Sequence, residues 1–121
     1  MEAHVKYLLL VYLDETWDKR SQAERQEAYW GQVRVTEELV ARGQYLGGNP
    51  LHPTSAATTV RVRDGKRLLT DGPFAETREH LGGYMLIDVE NLDEALDFAA
   101  RGPLARVGTI EVRPVREGPP A

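Results

Sequence analysis

The chain has 121 residues, a length that fits one domain, and 41% hydrophobic with 28% charged residues is an ordinary globular balance. It contains no cysteine, which excludes disulfides, thiolate catalysis, zinc–thiolate sites and iron–sulfur clusters. Fifteen Lys and Arg stand against nineteen Asp and Glu, a net charge of −4, and the cations are scattered. A nucleic-acid binder needs a basic face, so no nucleic-acid partner is expected.

The opening Met1-Glu2-Ala3-His4 lacks a basic segment followed by a long apolar one, and the apolar run Tyr7–Leu13 is too short to span a bilayer. A cytoplasmic location without membrane contact is the expectation. Residues 4–13 read as a strand with apolar side chains on both faces, as in a central strand covered on both sides. Residues 14–20, with Trp17, read as a connection. A helix is expected from Ser21 to Arg42: Ser21 and Glu24 have the capping-box spacing, and Gly43 follows as a C-terminal cap. Its inward stripe reads as Tyr29, Val33, Thr36 and Val40, edged by Ala28, Val35 and Leu39.

Gln44–Leu46 reads as a short extended piece that Gly47-Gly48-Asn49-Pro50 breaks; paired glycines also suit a bulge or close backbone packing. Thr58–Arg63 and Lys66–Thr70 flank Asp64-Gly65, a two-residue hairpin signal that sets Val60 opposite Leu69. Leu81–Val89 is the next strand. Asn91 and Glu94 cap a second helix that runs through Arg101 with Leu92, Ala95, Leu96 and Ala99 inward; Gly102-Pro103 ends it. Residues 108–115 form the last strand, with Thr109, Glu111 and Arg113 on a face open to water.

Without its hairpin insert this order is the split βαβ pattern of an α+β ferredoxin-like fold, with residues 1–116 as one domain and 117–121 as a loose tail. Two helices would cover one face of a four-stranded antiparallel sheet. The other face would stay uncovered and partly apolar, which calls for a partner. Two such sheets packed face to face would make a homodimer, a dimeric α/β barrel.

Several segments resemble a known family. Lys6–Tyr12 is similar to its opening strand, and Thr59–Lys66 followed by Thr70–Thr77, with Asp71-Gly72-Pro73-Phe74-Ala75-Glu76-Thr77, is similar to its central signature. Leu81–Tyr84, Asp88-Val89, Asp93–Ala95 and Glu111–Val115 follow in order. The chain thus resembles the DGPF branch of the YCII-related family over nearly its whole length. The resemblance implies a ferredoxin-like dimeric barrel and no settled activity. Broader YCII-related proteins include a dehydrochlorinase-like enzyme, and many carry a His–Asp pair with the His on the first helix. No His occurs here between Glu15 and Gly43, and Gln32 or Gly31 stands about where it is expected, so that pair does not carry over. A regulatory link to extracytoplasmic-function sigma factors is the other implication.

Asp71 is the first candidate for chemistry. Gly72 and Pro73 make a stiff turn that aims Asp71 and Phe74. Asp71 then serves as a general base with Phe74 as a pocket wall, or it caps backbone N–H groups while Phe74 anchors a dimer core. His80 and Glu76 are candidate assisting acids, and His80 reads equally as an exposed loop residue, as does His52. Tyr7, Trp30 and Tyr84 are candidate pocket residues or core residues. The His spacing fits no metal motif, and no metal or other cofactor is expected. Arg61 and Arg63, with Lys66 or Arg67, form either an anion site or a solvated edge.

Two functions stand side by side. One is a small-molecule-binding protein that does proton-transfer or elimination chemistry in a barrel cleft. The other is a non-catalytic regulatory or binding partner. Whether the protein is an enzyme stays open at this level.

Overall fold

The computed structural model describes residues 4–120. Met1–Ala3 of the expected domain and Ala121 of the expected tail lie outside the described residues. The elements are β1 (Val5–Leu13), α1 (Glu15–Asp18), α2 (Gln22–Ala41), β2 (Tyr45–Pro50), β3 (Thr58–Arg63), β4 (Lys66–Asp71), β5 (His80–Val89), α3 (Leu92–Arg101), α4 (Leu104–Val107) and β6 (Thr109–Pro114). A single 3₁₀ turn, Thr54–Ala56, precedes β3.

Four strands form one antiparallel sheet in the order β2-β5-β1-β6. That order is compatible with the ferredoxin-like α+β arrangement the sequence suggests. β3 and β4 pair only with each other. The pleat sorts β1 into two faces. Tyr7, Leu9, Val11 and Leu13 are buried, and so are Met85, Ile87 and Val89 opposite them on β5. Leu39 of α2 and Ala95, Phe98 and Ala99 of α3 close this core from above. Leu8, Leu10 and Tyr12, paired with Leu86, Tyr84 and Leu81, alternate onto the opposite face and are only half-buried or exposed. One sheet face therefore carries the helices while the other is open and apolar at its centre.

The helix ends follow the sequence closely. The Ser21 hydroxyl accepts from the Glu24 backbone N–H at 3.1 Å, and the Glu24 carboxylate accepts in return from Ser21. Asn91 caps α3 by accepting from the Glu94 N–H at 2.9 Å. The hairpin register is the one expected, Val60 opposite Leu69, with Asp64 and Gly65 both at positive φ as a tight two-residue turn requires.

Four readings need correction, and a fifth, the end of α3 at Gly102-Pro103, holds but is followed by a helix that the sequence did not announce. Residues 14–20 contain the short helix α1, because Asp14 accepts from the Thr16 N–H at 2.9 Å and caps a turn. The buried stripe of α2 is Ala28, Gln32 and Leu39; Tyr29 and Val40 are 46% and 56% exposed. In α3, Phe98 turns inward, whereas Leu92 and Leu96 are nearly half exposed. After Gly102-Pro103 the chain re-enters a helix, α4, since Pro103 has the helical φ that opens one. β2 runs through the glycines to Pro50, with a register shift between Tyr45 and Gly47 that marks a bulge.

Candidate functional site

The misplaced stripe of α2 has a physical cause. Tyr29, Val33, Thr36 and Val40 face a cavity rather than packed core. The cavity has a volume of about 450 Å³ and lies between α2 and the β2–β5 side of the sheet. Val11, Leu13 and Met85 form its floor, and Trp17 of α1 and Leu104 of α4 close one end. Its polar lining comes from Gln32, Thr36, Glu37, Asn49, Asp18, His52, His80 and tyrosines including Tyr45, and among the described residues it contains neither Lys nor Arg. A mostly apolar concavity with a few polar groups is the usual form of a small-molecule site.

His80 is the first residue of β5, opposite Leu13 on β1. Its side chain is 22% exposed, and its Nε2 lies 3.8 Å from Oδ2 of Asp18. That distance is too long for a direct hydrogen bond but short enough for an imidazolium and a carboxylate to attract. Asp18 reaches this position because the Asp14 cap turns residues 15–18 into a helix. Hydrogen bonds from the Thr16 hydroxyl and backbone hold the Asp14 carboxyl below its ordinary range.

Two polar groups of the wall are themselves largely withdrawn from solvent. Burial pushes the Tyr45 phenol above its ordinary range, so it remains a neutral donor through the physiological pH range. Gln32 is only 8% exposed; its Nε2 contacts Met85 Sδ at 3.6 Å and its Oε1 has no hydrogen-bond partner among the described residues. Gly102 makes room for that amide, since a Cβ at position 102 would lie 2.2 Å from Gln32 Oε1.

The residues read from the sequence divide in two. His80 and Tyr84 border the cavity, Tyr84 from a position that the pleat assigns to the open face, and Asn49 Nδ2 donates to the Tyr84 hydroxyl at 3.2 Å. Asp71, Phe74 and Glu76 do not: all three are exposed on the hairpin or the loop after it, and Phe74 is 74% exposed. Tyr7 is packed in the core and Trp30 is on the surface, edge-on to Tyr29 with ring centroids 5.0 Å apart. Asp71 and His80 are therefore not brought together at the cavity. The turn after Asp71 has a fastening role instead: the Gly72 N–H donates to Ala57 O at 2.7 Å, and the Thr59 hydroxyl donates to Gly72 O at 2.8 Å. Asp18 and Tyr45 are the site groups that sequence reasoning missed, and Gln32 entered it only as a residue standing about where the family's helix His is expected. Of the two, only Asp18 carried a local signal, as a carboxylate beside Trp17 in a polar connection.

A half-open α+β sheet domain with a ligand-sized apolar cavity under its long helix is the class that these features define. The YCII-related domain family matches residues 2–118. The chain is also similar to an uncharacterized protein of Rhizobium meliloti (strain 1021), 39% identical over 112 residues that cover 90% of each chain. The chain belongs to the YCII-related domain family. Among the described residues no helix is long and apolar enough to cross a membrane.

Proposed function

We propose that the cavity binds a small, largely apolar molecule, neutral or cationic, and that His80 with Asp18 beside it moves a proton at the cavity rim. The observation that carries this is His80 on the edge of an apolar cavity whose charged lining is acidic. The imidazole takes a proton from the bound molecule, with the Asp18 carboxylate 3.8 Å from its Nε2. The Tyr45 phenol, kept protonated by burial, donates to an oxygen on which charge develops. Two carboxylates, Asp18 and Glu37, and the absence of a cation from the lining disfavour an anionic ligand. This reading keeps His80 and Tyr84 from the sequence-based set and leaves Asp71, Glu76 and Phe74 to the hairpin.

Two further proposals complete it. The 71–77 string supports placing the chain in the DGPF branch, with residues 1–116 as the working domain. Leu8, Leu10 and Leu86 on the open sheet face support a homodimer that packs these faces together into a barrel.

The test uses the two tryptophans. Trp17 borders the cavity and Trp30 is exposed, so W30F leaves Trp17 as the reporter. Titration of W30F with the neutral dye N-phenyl-1-naphthylamine is expected to change Trp17 emission saturably, with one dye per chain. V33W, which fills the cavity from α2, is expected to abolish the change. Unsaturable binding, or binding that V33W leaves intact, would remove the cavity from the function. Saturable dye binding with no turnover of any proton-transfer substrate would leave a binding protein.

A further inference from the structure

We propose that the β3–β4 hairpin is an arm by which one copy of this chain grips a second copy. The proposal rests on the reading of the open sheet face as a homodimer surface, and it adds a second, separate contact.

The hairpin is amphipathic in a way that demands a cover. Its register places Val60, Val62 and Leu69 on one face together with Arg67, and Arg61, Arg63 and Lys66 on the other together with Leu68. Such alternation ordinarily marks strands that lie on a core. Here Val60, Val62 and Leu69 are 58%, 60% and 60% exposed, and the hairpin packs against no other element to any substantial extent among the described residues. An isolated two-stranded hairpin is at best marginally stable in water. Val60, Val62 and Leu69 form one exposed apolar side, and Phe74 just beyond the base of the hairpin is 74% exposed; exposed apolar surface of this kind marks a protein contact.

Charge identifies the partner. Within Thr58–Asp71 there are four cations, Arg61, Arg63, Lys66 and Arg67, against Asp64 and Asp71, while the whole chain has a net charge of −4. The body without the hairpin therefore stands at −6. Three of those cations, Arg63, Lys66 and Arg67, sit at the hairpin tip beside the Asp64-Gly65 turn. A concavity lies at the corner of the open sheet face, lined by Tyr12, Asp14, Glu79 and Glu111, with Arg78 the one cation of the lining among the described residues and Arg113 paired to Glu111 at 2.6 Å beside it. Tyr12 and Glu111 are on that open face, on β1 and β6. The chain thus carries a basic, apolar-sided arm and an acidic recess beside an apolar sheet. A two-fold dimer makes both contacts twice, because each copy offers the arm and the recess.

Sedimentation velocity across the micromolar range tests this, with circular dichroism to confirm folding. V60E/L69E changes only exposed side chains and is expected to weaken dimerisation at least about tenfold. R63E/R67E and E79R/E111R are each expected to weaken it, and an equimolar mixture of the two is expected to restore it, since both arm–recess pairs regain opposite charge. A wild-type dimer that L10E dissociates but V60E/L69E and the charge reversals leave unchanged overturns the arm and keeps the sheet-face dimer. A wild-type monomer throughout overturns both. The absence of native cysteine allows a direct check with V62C. Its thiol is expected to react more slowly with a disulfide reagent as protein concentration rises through the dimerisation range. A rate independent of concentration counts against the arm.

Discussion

His80 Nε2 lies 3.8 Å from Asp18 Oδ2, although 62 positions separate the two residues in sequence. Their meeting at the cavity rim leads to a prediction about proton transfer. The neutral aromatic 5-nitrobenzisoxazole fits the proposed ligand class: a base removes its one reactive C–H proton, the N–O bond breaks, and a phenolate is released. Wild-type protein is expected to accelerate this ring opening. H80Q is expected to lower the rate about a hundredfold, with a smaller loss for D18N. The check is the absorbance of the phenolate. A wild-type rate no higher than that of free imidazole at equal concentration would rule out His80 as a base.

Gly48 sets how closely β2 approaches β5. A Cβ there would lie 2.5 Å from the Tyr84 carbonyl oxygen and 2.6 Å from the Tyr45 hydroxyl. The first of these is backbone and cannot turn aside. G48A is expected to destabilise the fold by about 1–3 kcal/mol, seen as a lower thermal midpoint, and to weaken dye binding because Tyr45 and Tyr84 both border the cavity.

Phe98 is 1% exposed and Leu96, two positions earlier, is 45% exposed. F98A is expected to cost about 3–5 kcal/mol, a large part of the stability of an average small domain. L96A is expected to cost less than about 1 kcal/mol. Urea unfolding curves with unchanged slopes give both numbers, and equal losses would contradict the observed orientation of α3.

The hydrogen bond and charge of Arg101 hold the Glu38 carboxyl below its ordinary range, and the pair ties α2 to the end of α3. A carboxyl whose folded pKa is depressed contributes stability above its ordinary value of 4.5 and loses that contribution as pH falls through the folded value. R101Q is therefore expected to lower stability near neutral pH and to flatten its decline over the acid range. Both groups are exposed, so the effect is expected to shrink in high salt. Stability profiles of the wild type and R101Q that stay parallel below neutrality would dismiss the pair.

Features set by a few neighbouring residues were legible from sequence. Asp64-Gly65 gave the hairpin register to the residue, and Ser21 with Glu24 gave the start of the long helix. The central place of β1 in the sheet was visible because both its faces are apolar. What a helix faces was not legible. An apolar stripe of Tyr29, Val33 and Val40 looks the same whether it meets side chains or an empty space, and here the true contact row includes the polar Gln32. Leu96 and Phe98 are both apolar, and only the tilt of α3 on the sheet chooses between them. The site suffered most. Asp71 stood out because its turn is distinctive, yet the cavity is assembled from α1, α2, β2 and β5, whose proximity depends on the sheet order.

The bond from the Gly72 N–H to Ala57 O closes the hairpin at its root, so the chain enters and leaves the arm at nearly the same point. Nothing in the helix-covered core spans residues 58–71. The arm is accordingly a removable module: a short loop joining Ala57 to Gly72 should leave the sandwich and its cavity standing. The same junction is then a graft point, where a different hairpin could be installed to give the body a new choice of companion.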